Sequence, residues 1–125
     1  MKSFKDYVKD YNDKHNRSYT IGVNIWDDYV DDGYGKQKTH MYVEESDLID
    51  TVEGGDIIAG EVMKMVFDYM KANLNFDGVK YDYSEGDDRF NLEDLTHKRL
   101  DEWMSVLGNV KFEYKGIPVK VYSES

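Results

Sequence analysis

The residues that could do chemistry are mostly carboxylates, and a dense group of them lies in the stretch IWDDYVDDGYGKQKTHMYV, residues 25–43. Carboxylate oxygens bind calcium, and an EF-hand loop needs oxygen ligands at positions 1, 3, 5 and 12 with glycine at position 6. A loop that starts at Asp28 has glycine at position 6 but Val30 and Thr39 at two ligand positions. A loop that starts at Asp82 has an aspartate where the glycine is required. The spacing therefore indicates a solvated acidic turn, and we expect no metal and no other cofactor.

A second motif with a chemical meaning is GGDIIAGEV, which has the glycine spacing of a phosphate-binding loop from Gly55 to Gly60. In such a loop a lysine and a hydroxyl residue follow the last glycine. Here Glu61 and Val62 occupy those positions, and a carboxylate would repel a phosphate. The motif is thus interpreted as a glycine break between two helices.

Acid–base and nucleophilic catalysis have few candidates in this chain. It has no cysteine, and its three histidines, His15, His40 and His97, are predicted on a helix end, a strand and an exposed helix face, with no motif joining them to a serine or a paired acid. A general acid requires a buried or crowded carboxyl group, whereas most acids here are expected to be exposed. The sequence therefore predicts a protein that is not an enzyme, with a small metal-dependent enzyme as an alternative.

The acids themselves are the remaining functional candidate. The net charge is −10, and residues 19–35 and 44–61 hold four and seven acids with no lysine or arginine. Such a surface repels DNA, RNA and anionic lipid and attracts a basic partner. Tyrosines lie among the acids, and tyrosine beside charge is typical of interfaces. The predicted partner-binding residues are Asp27, Asp28, Tyr29, Asp31, Asp32 and Tyr34 at a hairpin tip, Glu44, Glu45, Asp47 and Asp50 after it, and Asp82, Tyr83, Glu85, Asp87 and Asp88 before the last helix.

The elements that must position these residues follow from hydrophobic periodicity. Helical spacing is found near the N-terminus and over residues 56–73, and alternation with period two is found from Tyr19 to Ile25. Asp56 is predicted to cap the central, mostly buried helix, Asn91 with Asp94 to cap the last helix, and Pro118 to place the final strand on an edge. The sequence predicts one α+β domain, residues 1–125, with a largely antiparallel sheet and the order α-ββ-α-α-β-α-ββ.

The whole chain resembles in character the small acidic inhibitors that bacteriophages encode, especially anti-CRISPR proteins. It is short, cysteine-free and rich in tyrosine, and its acid clusters are DDYVDD, EESDLID and DYSEGDD. The resemblance implies that acidic side chains occupy a site meant for DNA in a type II RNA-guided nuclease, at the arginine pair that reads the PAM or in the basic channel around it. It also implies a cytoplasmic location in the host cell. We expect a basic DNA- or RNA-binding protein as partner, with neither nucleic acid nor membrane bound directly. An immunity protein that neutralises a nuclease toxin is the alternative.

Overall fold

A six-stranded sheet forms the centre of the protein. The computed structural model describes residues 2–29, 37–43 and 47–124. The order across the sheet is β3-β4-β2-β1-β6-β5, and all neighbours are antiparallel except β1 and β6. The strands are β1 (Ile21–Tyr29), β2 (Gln37–Val43), β3 (Lys80–Asp82), β4 (Arg89–Glu93), β5 (Phe112–Tyr114) and β6 (Ile117–Glu124), and the helices are α1 (Phe4–His15), α2 (Asp47–Thr51), α3 (Gly55–Asn73) and α4 (His97–Leu107). This is the predicted α+β fold with the predicted order of elements, to which β4 adds one strand.

One face of the sheet carries the hydrophobic core. Successive side chains of a strand point to opposite faces, so alternate apolar residues of β1 and β2 meet on one side. Val23 lies opposite Val43 and Ile25 opposite Met41, and all four side chains are buried. The buried residues of α1, α3 and α4 belong to the same core. On the other face, which we call the open face, Trp26, Lys38, Arg89 and Lys120 are exposed.

Helix α3 is the central buried helix that the sequence predicts. Val62, Met63, Val66 and Met70 are fully buried along it. The prediction of its N-cap was wrong, because the helix begins at Gly55 after Gly54, whose φ of 78° is in the left-handed region, and Asp56 lies in the first turn. A carboxylate in the first turn still stabilises the positive end of the helix dipole.

The predicted start of the last helix was also wrong. Residues 89–93 form β4, in which Phe90 and Leu92 are buried and Phe90 lies opposite Met41 of β2. Helix α4 begins only at His97, and the Thr96 hydroxyl accepts a hydrogen bond from the Arg99 N–H at 3.2 Å. Burial of two apolar side chains in the sheet outweighs the weaker capping signal at Asn91.

Strand β6 lies inside the sheet, which corrects the prediction from Pro118 of an edge strand. The two edges are β3 and β5. The pairing of β6 with β1 begins at Val119, opposite Ile21, one residue after the proline. The missing N–H of Pro118 therefore removes no bond from that ladder.

A hydrogen bond between side chains joins α3 to β5. Tyr114 is a buried residue, and its hydroxyl donates to the Glu61 carboxylate. Burial first, and then this hydrogen bond, raise the pKa of Tyr114 above its ordinary value. The folded state thus keeps the phenol proton at a pH at which the unfolded chain releases it.

This pKa shift predicts a loss of stability in alkaline solution. Unfolded tyrosine ionises near pH 10, so the contribution of Tyr114 to stability should be complete below that pH and fall as the pH rises further, because the folded state then binds more protons than the unfolded state. Urea unfolding of the parent and of Tyr114→Phe, at about pH 8 and about pH 11, measures the effect. The parent should lose more stability between the two pH values than the variant does. Equal losses would show that Tyr114 does not contribute.

Candidate functional site

The acidic segment before β4, residues 82–88, is held in a defined shape by a tight turn. The Ser84 carbonyl accepts a hydrogen bond from the Asp87 N–H at 3.0 Å, and Gly86 has a φ of 99°. A positive φ at the third of four residues is what a type II turn requires, and glycine adopts it without strain. The side chains of Asp82, Glu85, Asp87 and Asp88 are exposed around this turn.

The turn packs directly on the central helix. A Cβ atom added to Gly60 of α3 would lie 2.4 Å from the Gly86 carbonyl oxygen, so the two backbones are in contact. Next to this contact the Tyr83 ring packs against Phe67, with centroids 4.4 Å apart, and against Phe90, with centroids 5.8 Å apart. The chain around segment 82–88 is therefore fixed by backbone contact and by aromatic packing.

A backbone hydrogen bond fixes the far end of the segment. The Val43 N–H, at the end of β2, donates to the Asp88 carbonyl at 3.2 Å. The segment is thus attached to both α3 and the sheet, and its carboxylates need little further ordering to bind a partner.

The charges around Tyr83 come from both segment 82–88 and helix α3. Burial raises the pKa of the Tyr83 phenol, and the negative charges of Asp68, Glu85 and Asp87 raise it further, against the opposing effect of Lys64. Lys64 is itself paired with Asp68 at 2.7 Å on the surface of α3. The acidic surface therefore extends from residues 82–88 onto the helix, with one lysine inside it.

The predicted Tyr83 and the neighbouring Tyr81 have different positions. Tyr83 is half-buried, and its hydroxyl is buried without a hydrogen-bond partner among the described residues, so its ring supports the segment from behind. Tyr81 is 46% exposed, and the Lys71 ammonium lies 4.6 Å from its ring centroid. Of the two, Tyr81 offers more surface to a partner.

The predicted hairpin-tip residues fall partly in a strand. Asp27, Asp28 and Tyr29 belong to β1 and are paired with residues 39, 38 and 37 of β2. Asp27 and Asp28 thus precede the connection between the strands. The prediction for Asp31, Asp32 and Tyr34 lies outside the described residues.

Of the four predicted residues after the hairpin, the structure describes the backbone of two. Asp47 and Asp50 belong to the short helix α2. The prediction for Glu44 and Glu45 lies outside the described residues. Segment 82–88 is thus the one predicted acidic cluster whose side chains can be placed throughout.

Both glycines of the phosphate-loop pattern have packing roles. A Cβ on Gly55 would lie 2.1 Å from the Ile49 carbonyl oxygen, and Gly60 contacts Gly86 as described above. The close approach of α2 and of the turn to α3 accounts for this glycine spacing.

The open face carries a cluster that the sequence analysis missed. The rings of Trp26 and His40 are stacked with centroids 5.6 Å apart, and His40 Nδ1 lies 2.7 Å from the Asn91 side-chain oxygen. On the same face the Arg89 guanidinium lies 5.9 Å from the Tyr42 ring centroid. These residues come from β1, β2 and β4, so only strand register brings them together.

The two other histidines of the chain lie at helix ends. The His15 ring packs against the Tyr11 ring at the end of α1, at an interplanar angle of 44° and with centroids 4.6 Å apart, and His97 is the first residue of α4. Within residues 2–29, 37–43 and 47–124, no group of three or more histidines and acids is arranged to hold a metal ion. None of the helices described for this chain has the length and apolarity needed to cross a membrane.

The fold and site together define a single-sheet α+β protein with a fixed acidic segment. Comparisons with protein-family models, with curated proteins and with solved structures give no match for the chain.

Proposed function

We propose that the protein is an acidic inhibitor that binds a basic nucleic-acid-handling protein and occupies its DNA-binding site. The observation that carries this proposal is the attachment of segment 82–88, through the contact between Gly86 and Gly60 and the packing of Tyr83. A rigid group of carboxylates binds at a lower entropic cost than a mobile one. In its most specific form the target is a type II RNA-guided nuclease at its PAM-reading site.

The density of acids in the segment suits a surface that binds phosphate. Four of its seven residues are acidic, and their side chains are exposed. Duplex DNA carries one charge per about 3.4 Å of each strand, and consecutive Cα atoms are about 3.8 Å apart, so the neighbouring acids Asp87 and Asp88 have a local charge density of the same order as one DNA strand. A basic cleft built for phosphates would therefore accept the segment and would be closed to DNA while it is bound.

Long-range attraction predicts a strong dependence of the affinity on salt. The net charge of −10 steers a basic partner, and salt screens this attraction. We expect affinity for a guide-loaded type II nuclease to fall by about tenfold or more between about 0.05 M and 0.5 M NaCl. Titrations at the two salt concentrations measure it. Equal affinities would contradict the electrostatic part of the proposal.

A further inference from the structure

The open face holds a second surface whose chemistry differs from that of the acidic segment. A shallow cavity of about 240 Å³ is lined by Trp26, His40, Tyr42 and Arg89. A neighbouring cavity of about 340 Å³ shares His40. The chain has a net charge of −10, but the four residues that the structure describes as lining the first cavity include one guanidinium and one imidazole and no acid.

The side chain of Asn91 orients the imidazole of His40. Because the Asn91 side-chain oxygen can only accept, the hydrogen lies on His40 Nδ1, which donates at 2.7 Å. In the neutral imidazole, Nε2 can then accept a hydrogen bond from a ligand. The stacked Trp26 ring also restricts the imidazole, and with 45% of its surface exposed it offers a flat platform.

Arg89 supplies a cationic group beside this platform. Its side chain is 60% exposed, and its Nε atom lies 3.8 Å from Oδ1 of the adjacent Asp88, which is longer than a hydrogen bond. The Tyr42 ring below the guanidinium holds it over the face without using its donors. The fork of N–H donors is suited to a phosphate.

We propose that this cavity binds a mononucleotide, with the base stacked on Trp26, the phosphate held by Arg89 and a base or ribose donor bonded to His40 Nε2. Aromatic platforms on exposed strands bind bases in this way. The cavity has room for one ring system. The negative net charge of the chain repels an extended polyanion much more than it repels a single phosphate. The occupant is therefore a free nucleotide and not a strand of nucleic acid. This site is independent of the proposed inhibition.

Calorimetric titration with adenosine 5′-monophosphate tests the proposal, with adenosine, inorganic phosphate and a single-stranded deoxyadenosine oligonucleotide as further probes. We expect saturable binding of the nucleotide, weaker binding of adenosine and none of phosphate alone. No saturable binding of the nucleotide would overturn the proposal. Tighter binding of the oligonucleotide would also overturn it, because the occupant would then be a strand.

Two variants assign the binding to this cavity. Trp26→Ala should weaken nucleotide binding by about tenfold or more through loss of stacking. Arg89→Gln should weaken nucleotide binding by a similar factor but leave adenosine binding unchanged, since adenosine has no phosphate. Lys120→Gln is the matched control, because it removes one positive charge from the open face outside this cavity. Equal losses in Arg89→Gln and Lys120→Gln would show an unspecific charge effect and would contradict the assignment.

Discussion

Replacing Gly60 by alanine is expected to lower the free energy of unfolding by about 2 kcal/mol and to weaken partner binding as well. The added methyl group would lie 2.4 Å from the Gly86 carbonyl oxygen, a distance at which the helix or the turn must move. Alanine in a helix interior gains about 1 kcal/mol over glycine, but overpacking against a backbone atom costs about 1–3 kcal/mol. A clash as short as this one belongs at the upper end of that range, so the cost of overpacking exceeds the gain in helix propensity.

Urea unfolding and amide hydrogen exchange measure the two effects of Gly60→Ala separately. The Asp87 N–H, bonded to the Ser84 carbonyl, should exchange faster when the turn is displaced. Gly55→Ala is the matched control on the same helix, because its methyl group would lie 2.1 Å from the Ile49 carbonyl oxygen, at the junction with α2. It should lose stability but keep the exchange protection of Asp87 and the affinity for the partner. A Gly60→Ala variant with unchanged stability and unchanged exchange at Asp87 would contradict the described contact.

Neutralising the acidic segment is expected to abolish most of the binding while leaving the fold intact. The variant combines Asp82→Asn, Glu85→Gln, Asp87→Asn and Asp88→Asn, all at exposed side chains. Exposed acids contribute little to stability, so the free energy of unfolding should change by no more than about 0.5 kcal/mol per position. Close charge pairs across an interface contribute about 1.5–7 kcal/mol, so the loss of even one pair would weaken binding by about tenfold or more.

A charge-matched control separates the segment from the overall charge. Amide substitutions at Asp13, Asp101, Glu102 and Glu113 also remove four negative charges from exposed positions, on α1, α4 and β5. This control should bind nearly as tightly as the parent at moderate salt. If both variants lost affinity equally, net charge and not segment 82–88 would be responsible, and the proposed site would be wrong.

Periodicity was sufficient to predict the main elements. Alternation in β1 and the helical spacing in α3 are both long and regular, so each identifies its element and its buried face. The misplaced start of α4 has a specific cause. Leu92 and Leu95 are three residues apart, as on a helix face, but Leu92 is buried in β4 and Leu95 follows the strand. Two apolar residues in so short a strand do not distinguish the helical period of 3.6 residues from the strand period of two.

The composition of segment 82–88 could be read from the sequence, but its attachment could not. Gly60 packs closely against Gly86, which is 26 positions further along the chain, and no sequence pattern joins the two glycines. The cluster on the open face was missed for a similar reason. His40 and Asn91 are separated by 51 residues, and they meet only because β2 and β4 pair in one register. Single-sequence patterns contain no information on that register.

The most direct test of the central claim is competition between this protein and DNA for one site. Guide-loaded type II nucleases from several sources, and one basic nuclease toxin as the alternative target, are each mixed with a labelled duplex that contains their binding sequence. DNA binding and protein binding are then measured together as this protein is added. We predict that at least one target releases its DNA in proportion to the bound protein, and that the variant neutralised in segment 82–88 fails to displace it. A complex that holds DNA and this protein at once, or the absence of binding to every target, would contradict the proposed inhibition.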